Sequence, residues 1–247
     1  MRHAAIGLFA ALALAAFATT VSADSSEPFQ VTAYGSFARM SQTGDTSGKV
    51  PLAQLQGQKG LYGVGALQEL RGEILVWDGR VLVSRGHASD GSTSTLMDSD
   101  KAALLATAKV NRWREFQVPR DLTQREFESF LKNQAQAVGL ALDKPFPFVV
   151  EGAAIDYAWH VVAGSTNGGA SVHKTDNPTH ATLREFMGRK IDAAVLLGFY
   201  SASEMEGAIT HPGEQFHVHI SDPAFKFSGH VDRYGVGKGA TLLLPWE

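Results

Sequence analysis

Apolar and polar positions change period several times along the chain, and the changes divide it into elements. Phe29, Val31, Ala33 and Phe37 alternate with polar neighbours and predict a strand over 29–40. Residues 41–49, rich in Gly, Ser and Thr, read as a loop; Leu52, Leu55 and glycines 57, 60, 63 and 65 follow. The run Ile74-Leu75-Val76-Trp77, then Asp78-Gly79, then Arg80 to Val83, predicts a β-hairpin, because Asp-Gly suits a two-residue turn. Residues 84–98 read as a loop, 101–110 as either a short helix or a strand, and 113–118 as extended chain. Asp121 or Thr123 can cap a helix running to Val138. Its apolar face would be Leu122, Phe127, Phe130, Leu131 and Val138, and Gly139 would end it. After Pro145 and Pro147, a strand is expected over 148–154, and 164–177 reads as a surface loop or a lid over a site. A short helical turn is expected over 182–187 and a buried strand over 191–200. Further strands are expected at 216–220, 229–234 and 241–244, with a connection over 221–228. The expected class is α+β and strand-dominated, with mixed or antiparallel sheets and one or two packed helices.

The chain start changes this picture. Arg2 and His3 precede an apolar stretch over 4–18, and Val21-Ser22-Ala23 fits a small-x-small cleavage pattern. Residues 1–23 therefore read as a signal peptide, and 24–247 as one domain in the periplasm or outside the cell. The stretch is shorter than the roughly 20 apolar residues of a membrane span, so no membrane attachment is expected after cleavage. The 247 residues can bury a substantial core. A net charge of -3 gives no basic surplus for nucleic acid. There is no cysteine, so disulfides are excluded and any metal site must use His, Asp or Glu.

Candidate chemistry concentrates near the C-terminus. In His217-Val218-His219 the two imidazoles fall on one face of a strand, about 7 Å apart along it. His230 follows on the next predicted strand, after a connection holding Asp222-Pro223. Three histidines with open positions match a catalytic rather than a structural zinc site, although imidazoles also suit iron, nickel or copper. No P-loop, G-x-S-x-G or H-E-x-x-H motif is present.

Gly213-Glu-Gln-Phe-His217-Val-His219 with Ser228-Gly229-His230-Val231 resembles the zinc-binding segment of acetolactate decarboxylases. Leu196-Leu197-Gly198-Phe199-Tyr200 is similar to that family's strand leading into the site. Tyr62-Gly63-Val64-Gly65-Ala66 through Leu70-Arg71-Gly72-Glu73-Ile74 resembles its glycine-rich G-E segment. The likeness runs in order over roughly residues 30–231, with a divergent middle. It implies zinc held by His217, His219 and His230, with Glu73 beside the metal as ligand or proton carrier. The implied reaction converts 2-acetolactate to acetoin and carbon dioxide. A small keto or hydroxy acid is then the expected partner, and a homodimer is the candidate assembly.

Two departures stand out. The family's carboxylate-gripping arginine has no counterpart over 159–176; His173 or Lys174 could supply positive charge there, but neither matches the motif, and a lysine lacks a guanidinium's bidentate fork. The family's second acidic residue also has no aligned counterpart, the chain ending at Glu247. These departures keep two alternatives open: the same chemistry on another small keto or hydroxy acid, and a non-catalytic exported metal- or ligand-binding protein. His160, His173 and His180 are expected to be ordinary surface or core residues. Asp222 and Asp232 are expected in turn or surface roles, Glu204 and Glu206 as solvated, and Tyr34, Phe37, Phe199 and Tyr200 in the core.

Overall fold

A computed structural model describes residues 29–165 and 181–246. The expected signal peptide, most of the 164–177 loop, His173, Lys174, His180 and Glu247 lie outside the described residues. Among the described residues, thirteen strands form two sheets, two α-helices accompany them, and every pairing between named strands is antiparallel.

The first sheet holds β1 (Val31–Tyr34), β2 (Val50–Pro51), β3 (Leu61–Leu67), β4 (Gly72–Trp77), β5 (Arg80–Arg85), β6 (Thr93–Ser94) and β7 (Lys101–Lys109). Its order is β1-β7-β3-β4-β5-β6, with β2 on β7. The expected hairpin is β4–β5. Asp78 (φ 47°) and Gly79 (φ 79°) form its turn, the left-handed pair that matches strand twist. The segment over 101–110, open in sequence, is a strand buried on both faces, so its alanines pack in a sheet rather than a helix. The predicted strand over 29–40 is corrected. After β1 the chain turns into α1 (Phe37–Thr43), because the Ser36 side chain accepts the Arg39 N–H and starts a helix. Phe37 and Met40, three residues apart, are its buried face.

The second sheet holds β8 (Trp113–Gln117), β9 (Phe146–Ser165), β10 (Ala181–Tyr200), β11 (Phe216–Ser221), β12 (Ser228–Val236) and β13 (Thr241–Pro245). Its order is β10-β11-β12-β9-β13-β8, and β10 also pairs with β9, so β9, β10, β11 and β12 close into a ring of pairings. The helical turn expected over 182–187 is overturned: those residues belong to β10, and 183–187 pair with 158–162 of β9. Trp159 stacks on Phe186 at 4.0 Å across that pairing, a cross-strand contact that local spacing does not reveal.

The helix expected from Thr123 is α2 (Gln124–Ala137). The Glu126 carboxylate accepts the Thr123 N–H at 2.9 Å, and Gly139 follows the end at φ 88°. Its buried residues are Phe127, Leu131 and Ala135, packed in a core shared with both sheets. That core takes Val64, Leu75 and Ala106 from the first sheet, and Phe148, Leu196, Val218 and Val231 from the second. Ile74 and Val76 face the opposite way, into a smaller cluster with Leu52 and Leu105. Alternation along β4 therefore places Glu73 on the same side as Leu75, toward the second sheet.

Candidate metal centre

β11 and β12 pair at three positions: Ser221 with Ser228, Ile220 with Gly229, and His219 with His230. Residues opposite one another in an antiparallel pair project to the same face. His219 and His230 are therefore neighbours, and alternation along β11 adds His217. One potential ligand nitrogen from each ring lies within 4.8 Å of the other two. A close approach also requires Gly229, where a Cβ would meet the His160 carbonyl oxygen and the Trp159 ring, each at 2.4 Å.

Beyond the His219–His230 pair the strands part, β11 staying with β10 and β12 with β9. A cleft of about 660 Å³ opens in this fork. His160, His211 and His230 line it, together with Phe216, Tyr234 and the α2 side chains Gln124 and Glu128. Glu206, Glu214 and Asp232 add carboxylates, and no lysine or arginine is among the described lining residues.

Burial, then neighbouring imidazole charge, holds the three histidines neutral. His217 is pushed down to about 3, and His219 and His230 fall well below the usual histidine value. Neutral imidazole is the form that ligates metal. His217 Nδ1 lies 2.9 Å from the Ile209 carbonyl oxygen. A carbonyl only accepts, so Nδ1 carries the hydrogen and Nε2 keeps its lone pair. That lone pair faces His219 Nε2 at 3.2 Å. Zinc–imidazole bonds of about 2.0–2.1 Å put tetrahedral ligand nitrogens roughly 3.4 Å apart, so this spacing suits a shared ion. His219 Nδ1 is buried without a hydrogen-bond partner; the Ile74 backbone opposes the downward shift of the ring without reaching full bond geometry. The donor set and its spacing fit a divalent transition metal.

Glu73 arrives from the other sheet, 3% exposed, with Oε2 3.6 Å from His219 Nε2. Its Oε1 accepts the Val162 N–H at 3.2 Å. Burial raises its pKa to about 7, against lowering by His160 and the Val162 N–H and further raising by Asp232. Glu73 is thus a buried residue facing the histidines, although a glutamate near the start of a strand is usually solvent-facing.

Two further imidazoles join the histidines that the sequence picked out. His160, expected to be ordinary, is buried in β9 opposite His230, with ring centroids 5.0 Å apart. Its Nδ1 lies 2.8 Å from Asp232 Oδ1. Burial lowers its pKa, but Asp232 and then Glu73 outweigh that and leave it raised. Asp232 thus has a site role beyond the turn or surface one expected. The available signal was its position two residues after His230. His211, which no pattern in the sequence marks, sits in the connection between β10 and β11, with its ring 4.1 Å from Phe37 and 6.1 Å from His230. Phe37 also meets His217 edge-on at 5.3 Å. This end of α1 is tied to the same connection, the Phe37 and Ala38 N–H groups donating to the Ala208 and Gly207 carbonyls.

The remaining candidates lie away from the histidines or only border the cleft. Asp222 accepts the Lys226 N–H in a turn, and Glu204 pairs with Lys144 at 2.9 Å. Glu206 lines the cleft and accepts the Gly213 N–H. Phe199 and Tyr200 are core residues, and Tyr34 packs partly buried against the smaller cluster.

Comparison with known proteins gives one consistent result. The family described as alpha-acetolactate decarboxylase matches residues 31–243. The alpha-acetolactate decarboxylase of Bacillus subtilis strain 168 superposes with a TM-score of 0.69 at 15% identity, covering 88% of this chain and 86% of that one. A Staphylococcus aureus protein of unknown function, similar to alpha-acetolactate decarboxylase, gives 0.67 at 16% identity with the same coverage. At such identities the likeness shows a shared fold. No curated protein matches the chain. With residues 31–243 matched, the chain belongs to the alpha-acetolactate decarboxylase family.

Proposed function

We propose that the protein is an exported, zinc-dependent decarboxylase that converts 2-acetolactate to acetoin and carbon dioxide. The observation that carries this reading is the convergence of three neutral imidazoles with the buried carboxyl of Glu73. His217, His219 and His230 hold the ion. When bound, it supplies Lewis acidity that steadies negative charge on substrate oxygens as the carboxylate leaves.

The protein's own groups do the rest. The Ile209 carbonyl fixes the tautomer and orientation of His217. The Val162 N–H holds one oxygen of Glu73, while the other stays on the side of the trio. With a pKa of about 7, Glu73 carries a proton near neutral pH and gives it to the carbon that has lost carbon dioxide. Its burial keeps bulk water from competing for that step. Secretion or periplasmic residence rests on the leader pattern at residues 1–23.

The test is to incubate the zinc-loaded mature protein with 2-acetolactate and measure acetoin. Glu73→Gln is expected to lower kcat by about 10²- to 10⁴-fold with zinc content unchanged. Full zinc occupancy without acetoin would overturn the substrate assignment. A second reading, the same chemistry on a different small keto or hydroxy acid, is favoured by the absence of lysine and arginine among the described cleft residues. It predicts slow acetolactate turnover and faster turnover of another metal-chelating oxyacid.

A further inference from the structure

The α2 side of the cleft is not needed to bind a small acid at the histidines. The cleft measures about 660 Å³ and continues past His230 to α2. Its walls there carry a distinct set of groups. Tyr234 is 4% exposed and lines the cleft, yet its buried hydroxyl has no partner. An unpaired hydroxyl removed from water costs about 1–3 kcal/mol, a penalty that a ligand oxygen would remove. Beside it, the half-buried Glu128 accepts Gln124 Nε2 at 2.9 Å through one carboxylate oxygen. That bond uses one hydrogen of the Gln124 amide and leaves its oxygen as an acceptor. Phe216, partly buried, contributes an aromatic wall.

The chemistry of this set is selective. Carboxylate and amide oxygens seek donors, the tyrosine offers one, and an aromatic ring packs on C–H faces. The four carboxylates Glu128, Glu206, Glu214 and Asp232 line the cleft, and the cation nearest Phe216, Lys132, is already bonded to Gln215 at 2.6 Å, so the balance disfavours a second anionic group such as phosphate. A neutral, hydroxyl-rich chain satisfies these conditions.

We propose that Tyr234, Glu128, Gln124 and Phe216 form a subsite for a polyhydroxylated tail, so that the preferred ligand is a sugar-acid-like molecule whose oxyacid head lies at the histidine trio. The inference rests on the proposed metal reading for the head and adds the tail. It identifies the substrate class of the second reading above.

Gluconate and lactate share an α-hydroxy acid head and differ in the hydroxylated tail. Calorimetric titration of the zinc-loaded protein should find gluconate bound at least about tenfold more tightly. Tyr234→Phe, which keeps the ring, should remove most of that difference and leave lactate unchanged, and Gln124→Ala gives the same test from the partly buried first turn of α2. Equal affinity for the two acids, or a preference that survives both substitutions, overturns the subsite while leaving the metal reading intact. A tail-dependent preference that persists after zinc removal supports the subsite and counts against a metal-held head. Failure of both acids to bind at full zinc content overturns both.

Discussion

The buried ionisable groups of the site pull stability in opposite directions with pH. His217 has a folded-state value near 3, and His219 and His230 also lie far below their unfolded value. Below about pH 6.5 the unfolded chain therefore binds protons that the folded chain refuses, and stability falls as pH falls. Glu73 runs the other way: its value is raised from 4.5 to about 7, so it disfavours the folded state as pH rises through that window. Three imidazoles outnumber one carboxyl. The metal-free protein should accordingly lose stability from pH 6.5 toward pH 3, as seen in urea midpoints at stepped pH. Glu73→Gln should raise stability above pH 7, where the wild-type carboxyl must ionise in a buried place; an unchanged midpoint at pH 8 would contradict that assignment. Glu73 also shows why sequence reading at this scale is incomplete. A glutamate opening a strand is usually solvated, and the second sheet that buries this one is remote in sequence.

At the scale of elements, the short helix α1 supports the candidate metal-binding histidines. Its first turn binds the Gly207–Ala208 carbonyls, and Phe37 packs on His211 and His217. Phe37→Leu, which stays apolar, should weaken zinc binding by about tenfold through a looser His217, measured by competition with a chromophoric chelator. Ser36→Ala removes the cap to Arg39 and the bond to the Gly207 carbonyl, and should cost about 1 kcal/mol of stability. Gly229→Ala should be harsher for the metal site, because the new methyl meets the His160 backbone. Circular dichroism on each variant separates lost zinc from lost fold. The alternation of 29–37 predicted one strand, but the Ser36 cap and the burial of Phe37 and Met40 turned its second half into this helix.

For the whole molecule, two sheets and a helix share one core, and the site lies where β4 of the first sheet reaches the strand ring of the second. Metal bound only by the folded form should stabilise all of it: zinc at 100 times its Kd adds about 2.7 kcal/mol. Differential scanning calorimetry should show Tm rising with zinc and falling again with chelator, and a zinc-independent Tm would remove the trio as the binding site. The sequence by itself determined the elements whose cause is local: the Asp78-Gly79 turn, the Thr123-to-Glu126 helix start, the strand carrying His217 and His219, and the return of His230. Period and turn chemistry act over a few residues and are visible there. Only the tertiary structure decided the rest. It buried Glu73 to near-neutral pKa, set His160 and Asp232 opposite His230, brought His211 against Phe37, and opened the fork lined by Tyr234. Each depends on which strands meet, and that follows from long-range burial and pairing, which no local period encodes.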